Sequence, residues 1–485
     1  MRDYVVLIST DAGVTRTIAR RLRAEHICCH IEPAGTPAAA VQQPDVRGLI
    51  VAAATTGEAA DLPEMKDYLQ SGVPMLCLGD AALTLCESCG GTLSDLPHPG
   101  GVETVQFAHE HALFNDVEDG ERYLHFWRYM MSLPESAEIA ASTADGVLGF
   151  KVYQRNVWGL AMQLERNDPG GTQLLINFCR DVCGCTLWWS NQAFIERAKT
   201  AITMAAGNGE ALCALSGGVD SGVSALLGHM ALGARLHCIF VDTGLLRKDE
   251  VRQVLSFYKE QAGLDLRKVD ASQEFLTALT GVTDAAEKER IIFNLLQQVL
   301  QRETEACSNI RLLIQGTNYT DVLRRGAFPL QARAEDMAVI EPVRELFKDE
   351  VRAIGEELGM SPEMLLRQPF PGSGLAGRII GEVTPEKLAI LREADAIFCY
   401  EITESNQSRR LWQYFAALAE SPDADGYVVT LRAVQTADGA GGMAARLPND
   451  LLERVTLEIL NRCPRVERVL FDLTPSKNYQ PMDNM

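Results

Sequence analysis

The stretch Leu215-Ser216-Gly217-Gly218-Val219-Asp220-Ser221 decides how this chain folds. It sits between residues 211–215, an apolar run that reads as a strand, and a helical pattern carrying Ala225, Leu226 and Leu227. Two adjacent glycines allow a sharp turn, present several backbone N–H groups to one point and leave room for a polyphosphate at the helix N-terminus. Ser216 and Ser221 add hydroxyl donors. Bare phosphate would repel Asp220, so this residue either holds Mg2+ or caps the helix. The competing reading of the same seven residues is an ordinary strand-to-helix turn with a Ser or Asp cap. A Walker loop is excluded, because no Gly-Lys-Ser/Thr is present.

Outward from this turn, short β-rich runs alternate with helical stretches over roughly the first four hundred residues, the pattern of α/β units with parallel sheets. Strands are expected at residues 5–9, 48–53, 73–78, 157–164, 211–215, 236–241 and 311–315. Helices are expected at 15–25, from 80, and at 171–182, 194–206, 249–262 and 285–305. The last hundred or so residues read as an α+β module, with helices at 385–399, 408–420 and 449–461 and strands at 427–433 and 466–473. Joints are expected near 188–192 and near 369–378, where Pro and Gly cluster. The expected domains are 1–187, 188–370 and 371–485.

Composition sets the outer limits. At 485 residues the chain is too long for one core. Its 47% hydrophobic and 23% charged residues are ordinary for a globular protein, and a formal charge of −20 argues against nucleic acid as the main partner. No apolar run approaches the length of about 18 residues that a membrane span needs. Arg2 and Asp3 precede a short strand-like run rather than a signal sequence, so a cytoplasmic location without membrane contact is expected. The 13 cysteines are scattered through the elements, which suits reduced thiols. Cys86-x-x-Cys89 and the group Cys179, Cys183, Cys185 lack regular ligand pairing and read as buried free thiols rather than metal or redox sites.

The neighbours of the glycine turn narrow the family. The turn resembles the pyrophosphate loop of ATP pyrophosphatases. Phe240-Val241-Asp242-Thr243-Gly244-Leu245-Leu246-Arg247 and Gln315-Gly316-Thr317-Asn318-Tyr319-Thr320-Asp321-Val322 are similar to successive blocks of the GMP synthase family. So is Glu341-Pro342-Val343-Arg344-Glu345-Leu346-Phe347-Lys348-Asp349-Glu350-Val351-Arg352. Pro369-Phe370-Pro371-Gly372-Ser373-Gly374-Leu375, Arg378-Ile379-Ile380-Gly381-Glu382-Val383 and Leu391-Arg392-Glu393-Ala394-Asp395-Ala396-Ile397-Phe398 resemble the opening of that family's dimerisation domain.

The resemblance runs from about Phe178 to the C-terminus. It implies a flavodoxin-like class I amidotransferase domain, a doubly wound ATP pyrophosphatase domain of the adenine nucleotide α-hydrolase type, and an α+β dimerisation domain, hence a homodimer. It also implies an ATP-dependent ligase of GMP biosynthesis, in which ATP with Mg2+ adenylates XMP, pyrophosphate leaves and ammonia displaces AMP. Carried over residue by residue, Ser216, Gly217, Gly218, Val219, Asp220, Ser221, Val241, Asp242, Gly316 and Thr317 would bind ATP, with Asp220 also on the metal. Arg247, Asp321, Arg378, Lys477 and Asp483 would bind the acceptor. Asp220 and Lys348 would serve catalysis, Lys348 as a cation for the phosphates unless it is a solvated helix lysine.

Residues 1–187 follow the outline of a class I glutamine amidotransferase domain. That chemistry needs a Cys thiolate on a strand-to-helix elbow, a His to keep it ionised, a Glu to orient the His, and glycine-rich backbone for the oxyanion. Pro74-Met75-Leu76-Cys77-Leu78-Gly79-Asp80-Ala81-Ala82 aligns with the family's Pro-x-Leu-Gly-x-Cys-x-Gly-x and puts Gly79 at the nucleophile's position, with Cys77 two residues early in the strand. The family's His-Pro-Glu corresponds to Gln163-Leu164-Glu165, and no histidine lies between His125 and His229. Ala52-Ala53-Ala54-Thr55 stands where the family has Ser-Gly-Gly-Pro. Gly79, Gln163 and Glu165 thus mark a degenerate glutaminase site, and ammonia is the expected nitrogen donor.

Two departures bear on the acceptor. A segment containing Arg324, Arg325 and Arg333 replaces the family's Ser-His-His-Asn-Val-Gly-Gly lid, and the C-terminal tail keeps only Lys477 and an acid, Asp483. The three arginines either meet an acceptor phosphate or are solvated loop charges. ATP handling is therefore better preserved than XMP handling. Amination of XMP or a close analogue leads, while a ligase acting on another carbonyl substrate and a non-catalytic nucleotide-binding paralogue stay open.

Overall fold

The computed structural model describes residues 3–53, 65–95, 101–124, 128–144, 146–163, 169–307, 309–323, 337–365, 367–368, 370, 372–422, 425–435 and 442–475. The chain forms two compact units, Met1–Phe194 and Ile195–Met485.

In the first unit the described strands are β1 (Tyr4–Ser9), β2 (Cys29–Glu32), β3 (Val46–Ala53), β4 (Met75–Gly79), β5 (Thr92–Asp95), β6 (Val102–Phe107), β7 (Gly120–Tyr123), β8 (Arg128–Ser132), β9 (Ala137–Ser142), β10 (Val147–Val152) and β11 (Val157–Leu160). They form one sheet in the order β2-β1-β3-β4-β11-β10-β9-β6-β7, with β8 against β10 and β5 against β8. The stretch from β2 to β11 is parallel. Its strands are buried on both faces, so Val5, Leu7, Ile8, Ile50, Val51 and Leu76 form continuous apolar runs rather than an alternation. The other half, from β5 to β10, is antiparallel, which corrects the expectation of parallel sheets throughout. These strands are only four to six residues long and mix polar with apolar positions, as in Val102-Glu103-Thr104-Val105-Gln106-Phe107, so none stands out alone.

The second unit carries β12 (Glu210–Ala214), β13 (Leu236–Asp242), β14 (Leu266–Asp270), β15 (Ile310–Ile314) and β16 (Ala338–Ile340), all parallel, in the order β14-β13-β12-β15-β16. From central β12 the chain first builds outward through β13 and then returns to the other side at β15. The crevice beyond the strand ends at such a reversal is where α/β sheets bind ligands. A smaller sheet follows, with β17 (Gln413–Glu420), β18 (Tyr427–Gln435), β19 (Met443–Ala444) and β20 (Val466–Phe471). The helix Pro385–Glu404 starts where it should: Thr384 caps it by accepting from Lys387 N at 3.2 Å, and Pro385 occupies the first turn. One apolar core joins both sheets of this unit, running from Leu212, Ile239, Phe275 and Ile292 to Leu388, Phe398, Leu431 and Ile459.

One expected helix is a strand. Within residues 408–420 only Ser408–Arg410 is helical, and Gln413–Glu420 pairs antiparallel with β18 from Gln413↔Val434 to Glu420↔Tyr427. Alanine, leucine and glutamate favour a helix locally. Here Phe415, Ala416, Ala417 and Leu418 are buried, and strand pairing plus burial outweigh that weak local preference. All thirteen cysteines are free thiols. No helix among the described residues is long and apolar enough to cross a membrane.

Candidate active site

The glycine turn lies at the end of β12. Gly217 is left-handed at φ +82°, a conformation that glycine alone adopts without cost. Gly218 is extended and precedes the helix Val219–Leu232 as its cap residue, yet offers no side chain to it. The first-turn N–H groups of that helix are thus left for an anion. The two serines brace the turn: Ser221 Oγ accepts from Ser216 N at 3.2 Å, lies 3.0 Å from Ser216 Oγ and donates to Gly218 O at 3.0 Å. Gly316, just past β15, lets a second backbone close on it. A Cβ there would lie 2.4 Å from Ser221 N and 2.5 Å from Ser221 Cα.

Asp220 does not cap the helix. It lies within the first turn, and one of its carboxylate oxygens, Oδ2, accepts a hydrogen bond from Lys348 Nζ. The other, Oδ1, is buried with no hydrogen-bond partner among the described residues. Lys348 is the first residue of the helix Lys348–Glu357, where the helix dipole disfavours a cation, so the carboxylate opposite it is what accommodates the charge.

Neighbouring strand ends complete the constellation. Val241 is buried at the end of β13, and Asp242 accepts from Gly244 N at 3.1 Å and from Lys268 Nζ at 3.2 Å. Gly316 and Thr317 follow β15. The residues expected to bind ATP therefore gather at the ends of three adjacent strands, β13, β12 and β15. Asp321 and Asn318 exchange backbone-to-side-chain bonds at 3.1 Å each and so fix the start of the helix Tyr319–Leu323.

Arg247 and Arg378, which are 131 positions apart in sequence, converge on Asp395. Arg378 Nη1 donates to Asp395 Oδ1 at 3.1 Å, Ala416 N donates to the same oxygen at 3.0 Å, and Arg247 Nε lies 3.5 Å from Oδ2. The Phe370 ring sits 4.5 Å from the Arg247 guanidinium and 5.1 Å from that of Arg378. Arg378 is only 4% exposed, and burial pushes its pKa down to about 10. Arg247 Nη2 is buried with no hydrogen-bond partner among the described residues. The sequence by itself assigns no role to Asp395; its signal is an acid on the otherwise apolar helical face of Leu391, Ala394 and Phe398. Nor does it single out Arg367, which donates to the Gly217 carbonyl at 2.8 Å and to which no local pattern points. Lys477, Asp483, Arg324, Arg325 and Arg333 lie outside the described residues.

In the first unit the elbow positions come together. Ala52 and Ala53 of β3 are in register with Leu78 and Gly79 of β4, and Leu160 of β11 is in register with Leu78 from the other side. Gln163 follows three residues after β11. Gly79 is buried at φ 61°, ψ −133° and opens the helix Asp80–Ser88, which is the sharp strand-to-helix geometry of a nucleophile elbow with no side chain on it. Cys77 is wholly buried inside β4, and burial pushes its thiol far above the usual cysteine range. Asp80 is 5% exposed, and burial raises its carboxyl pKa against the pull of Arg128. A histidine is present nearby: His111 packs edge-on to Trp158 at 5.0 Å. Trp158 is in register with Leu76, which at about 3.3 Å per residue is roughly 10 Å along the sheet from Gly79. Glu165, Ala54 and Thr55 lie outside the described residues.

Two family models match the chain: NAD synthase over residues 197–409 and the GMP synthase C terminal domain over residues 400–479. A protein named GMP synthase (glutamine-hydrolyzing) from Caldicellulosiruptor saccharolyticus is 37% identical over 503 residues, covering 97% of this chain and 98% of that protein. One of the same name from Clostridium botulinum strain Kyoto is 35% identical over 500 residues, covering 98% of each. Among solved structures, a glutamine amido transferase from Methylobacillus flagellatus matches 38% of this chain and 76% of that one at 17% identity and a TM-score of 0.28. With identity at this level running almost end to end, the chain belongs to the GMP synthase family.

Proposed function

We propose that this chain uses ATP to adenylate XMP or a close analogue, that ammonia then displaces AMP, and that its first unit does not hydrolyse glutamine. The observation that carries the synthetase reading is the uncapped glycine turn after β12, with Asp220 and Lys348 paired beside it. The buried Asp220 oxygen, which has no hydrogen-bond partner among the described residues, fits a hard cation such as Mg2+, which when bound would offset charge on the departing pyrophosphate.

The chain's own groups do the rest. The N–H groups of residues 218–221 receive the polyphosphate, Ser216 and Ser221 add hydroxyls, and Lys348 turns from Asp220 toward the phosphates as a point charge. Val241, Asp242, Gly316 and Thr317 flank the adenosine. The acceptor's carbonyl oxygen forms a bond to the α-phosphorus while the bond to pyrophosphate breaks. Ammonia then bonds to the former carbonyl carbon, AMP leaves with the oxygen, and a proton is released. Arg247 offers Nη2, which has no hydrogen-bond partner among the described residues, to an acceptor phosphate, and Arg378 supports it through their shared Asp395. Asp321, Lys477 and Asp483 are assigned to the acceptor on family likeness alone. The division into 1–187, 188–370 and 371–485, a homodimer built by the last of these, and a cytoplasmic setting belong to the same proposal.

The relatives are named as glutamine-hydrolysing, and in this reading the chain departs from them. Gly79 supplies no nucleophile, Cys77 is held protonated inside a strand, and Gln163 accepts no proton in the catalytic range. The test is to give the full-length protein MgATP with XMP and ammonium, with XMP and glutamine, or with no acceptor, and to measure AMP, pyrophosphate and GMP. GMP from ammonium alone is the expected result. GMP from glutamine at a comparable rate overturns the first-unit reading. AMP release that needs some other carbonyl acceptor overturns the XMP assignment.

A further inference from the structure

The phosphate turn and the acceptor-side arginine are tied to one carboxylate. Glu250 is 5% exposed; its Oε2 accepts from Arg247 N at 3.0 Å and its Oε1 lies 3.3 Å from Arg367 Nη1. That same Nη1 donates to the Gly217 carbonyl at 2.8 Å, and Arg367 Nη2 donates to Gln253 Oε1 at 2.9 Å. A Cβ on Gly217 would lie 3.2 Å from Arg367 Nη1 and 3.5 Å from Glu250 Oε1, so the turn rests directly on this pair. From Arg247 the chain of contacts continues through its guanidinium to Asp395.

A trans peptide points its C=O and N–H in opposite directions. With the Gly217 carbonyl drawn to Arg367, the N–H of the same peptide, that of Gly218, turns the other way, toward Ser216 Oγ at 3.3 Å and the face open to the polyphosphate. Glycines on both sides give this peptide little intrinsic preference. If it flipped, it would aim a carbonyl oxygen at the phosphates. Buried ion pairs contribute little net stability, so what the pair provides here is orientation.

We propose that Arg367 and Glu250 are positioning residues: Arg367 fixes the Gly217–Gly218 peptide with its N–H toward ATP, and Glu250 holds that arginine and the backbone of Arg247 in one register, so that the ATP and acceptor halves of the site are set together. The acceptor half rests on the function proposed above. The ATP half is judged without it.

The experiment uses the full-length protein. MgATP affinity is measured by titration calorimetry without acceptor, and KM and kcat are measured with ATP, XMP and ammonium. Loss of a hydrogen bond from a charged donor corresponds to about 10-fold or more in affinity, so R367M should weaken MgATP by about that factor and raise KM for ATP alike. Its KM for XMP should stay within about twofold of wild type, and R367K, which keeps a donor, should recover most of the ATP affinity. E250Q should raise both KM values. A merely structural role would instead lower kcat with both KM values unchanged, and that result, or wild-type MgATP affinity in R367M, overturns the proposal. Should R367M fail to fold, E250Q decides it, and unaltered MgATP affinity there is equally fatal. If the wild type binds MgATP but converts no XMP, the acceptor assignment fails while the titration still judges Arg367.

Discussion

Replacing Gly79 by cysteine would put a thiol where the family's nucleophile stands, and the structure says what should follow. The backbone at φ 61°, ψ −133° is a region that residues with a Cβ enter only under strain, at a cost of about 1–3 kcal/mol. For a unit of this size each kcal/mol corresponds to about 2–4 °C in Tm, so G79C should melt about 2–12 °C lower. G79A should fall by the same amount, since the strain belongs to the backbone and not to sulfur. Tryptophan fluorescence reads the relevant unit, because four of the five tryptophans, at 127, 158, 188 and 189, fall within Met1–Phe194. Glutamate release from glutamine should stay at the background of the wild type. A positioned general base is worth about 100- to 10,000-fold, and Gln163 supplies none. An unchanged melting point in G79A would refute the strained elbow. Clear glutaminase activity in G79C would show that a base is within reach after all.

Three further outcomes follow from the same geometry. K348M should lower the rate of AMP formation by about 100- to 1,000-fold, the usual loss for one preorganised charge-stabilising donor, with MgATP binding measured in parallel. G316A should lose MgATP binding together with about 1–3 kcal/mol of stability in urea unfolding, because its methyl would lie 2.4 Å from the Ser221 nitrogen and backbone cannot yield as a side chain can. Burial raises the Asp80 pKa, so this carboxyl favours the fold while protonated and that contribution is lost as pH rises through its folded pKa. D80N should therefore be more stable than wild type at neutral pH, with the gap closing below about pH 4, where the unfolded aspartate is protonated too.

Much of the candidate nucleotide site is legible in the sequence because its signals are local. The turn at residues 215–221 needs glycines in sequence, and the blocks ending β13 and β15 carry their residues within a few positions of each other. What escaped was long-range. Arg367 reaches Gly217 across 150 positions, and nothing near either residue records the contact. The strand Gln413–Glu420 reads as helix by itself and becomes β17 only because β18 is there to pair with it. Arg378 reads in the sequence as a ligand for the acceptor, and its burial beside Asp395 and two phenylalanine rings depends on residues brought in from a helix, from β17 and from the irregular stretch at Phe370. The antiparallel half of the first sheet escapes for the same reason: each strand is short and partly polar, so its identity comes from its neighbours.

On the proposed loss of glutamine hydrolysis, the elbow shows why the scaffold would stay. Val51 and Cys77 lie in register inside the buried parallel run of the first sheet, and Gly79 is simply where β4 ends against β3. The strand-to-helix turn is fixed by that packing, whether or not the turn carries a nucleophile. A side chain there pays for its strain only while a base makes it useful. With glutamine at the proposed base position, a cysteine would bring strain without chemistry, and glycine relieves it. On that proposal, loss of the base and loss of the nucleophile favour each other, while the sheet that carries both positions is held by its own apolar core.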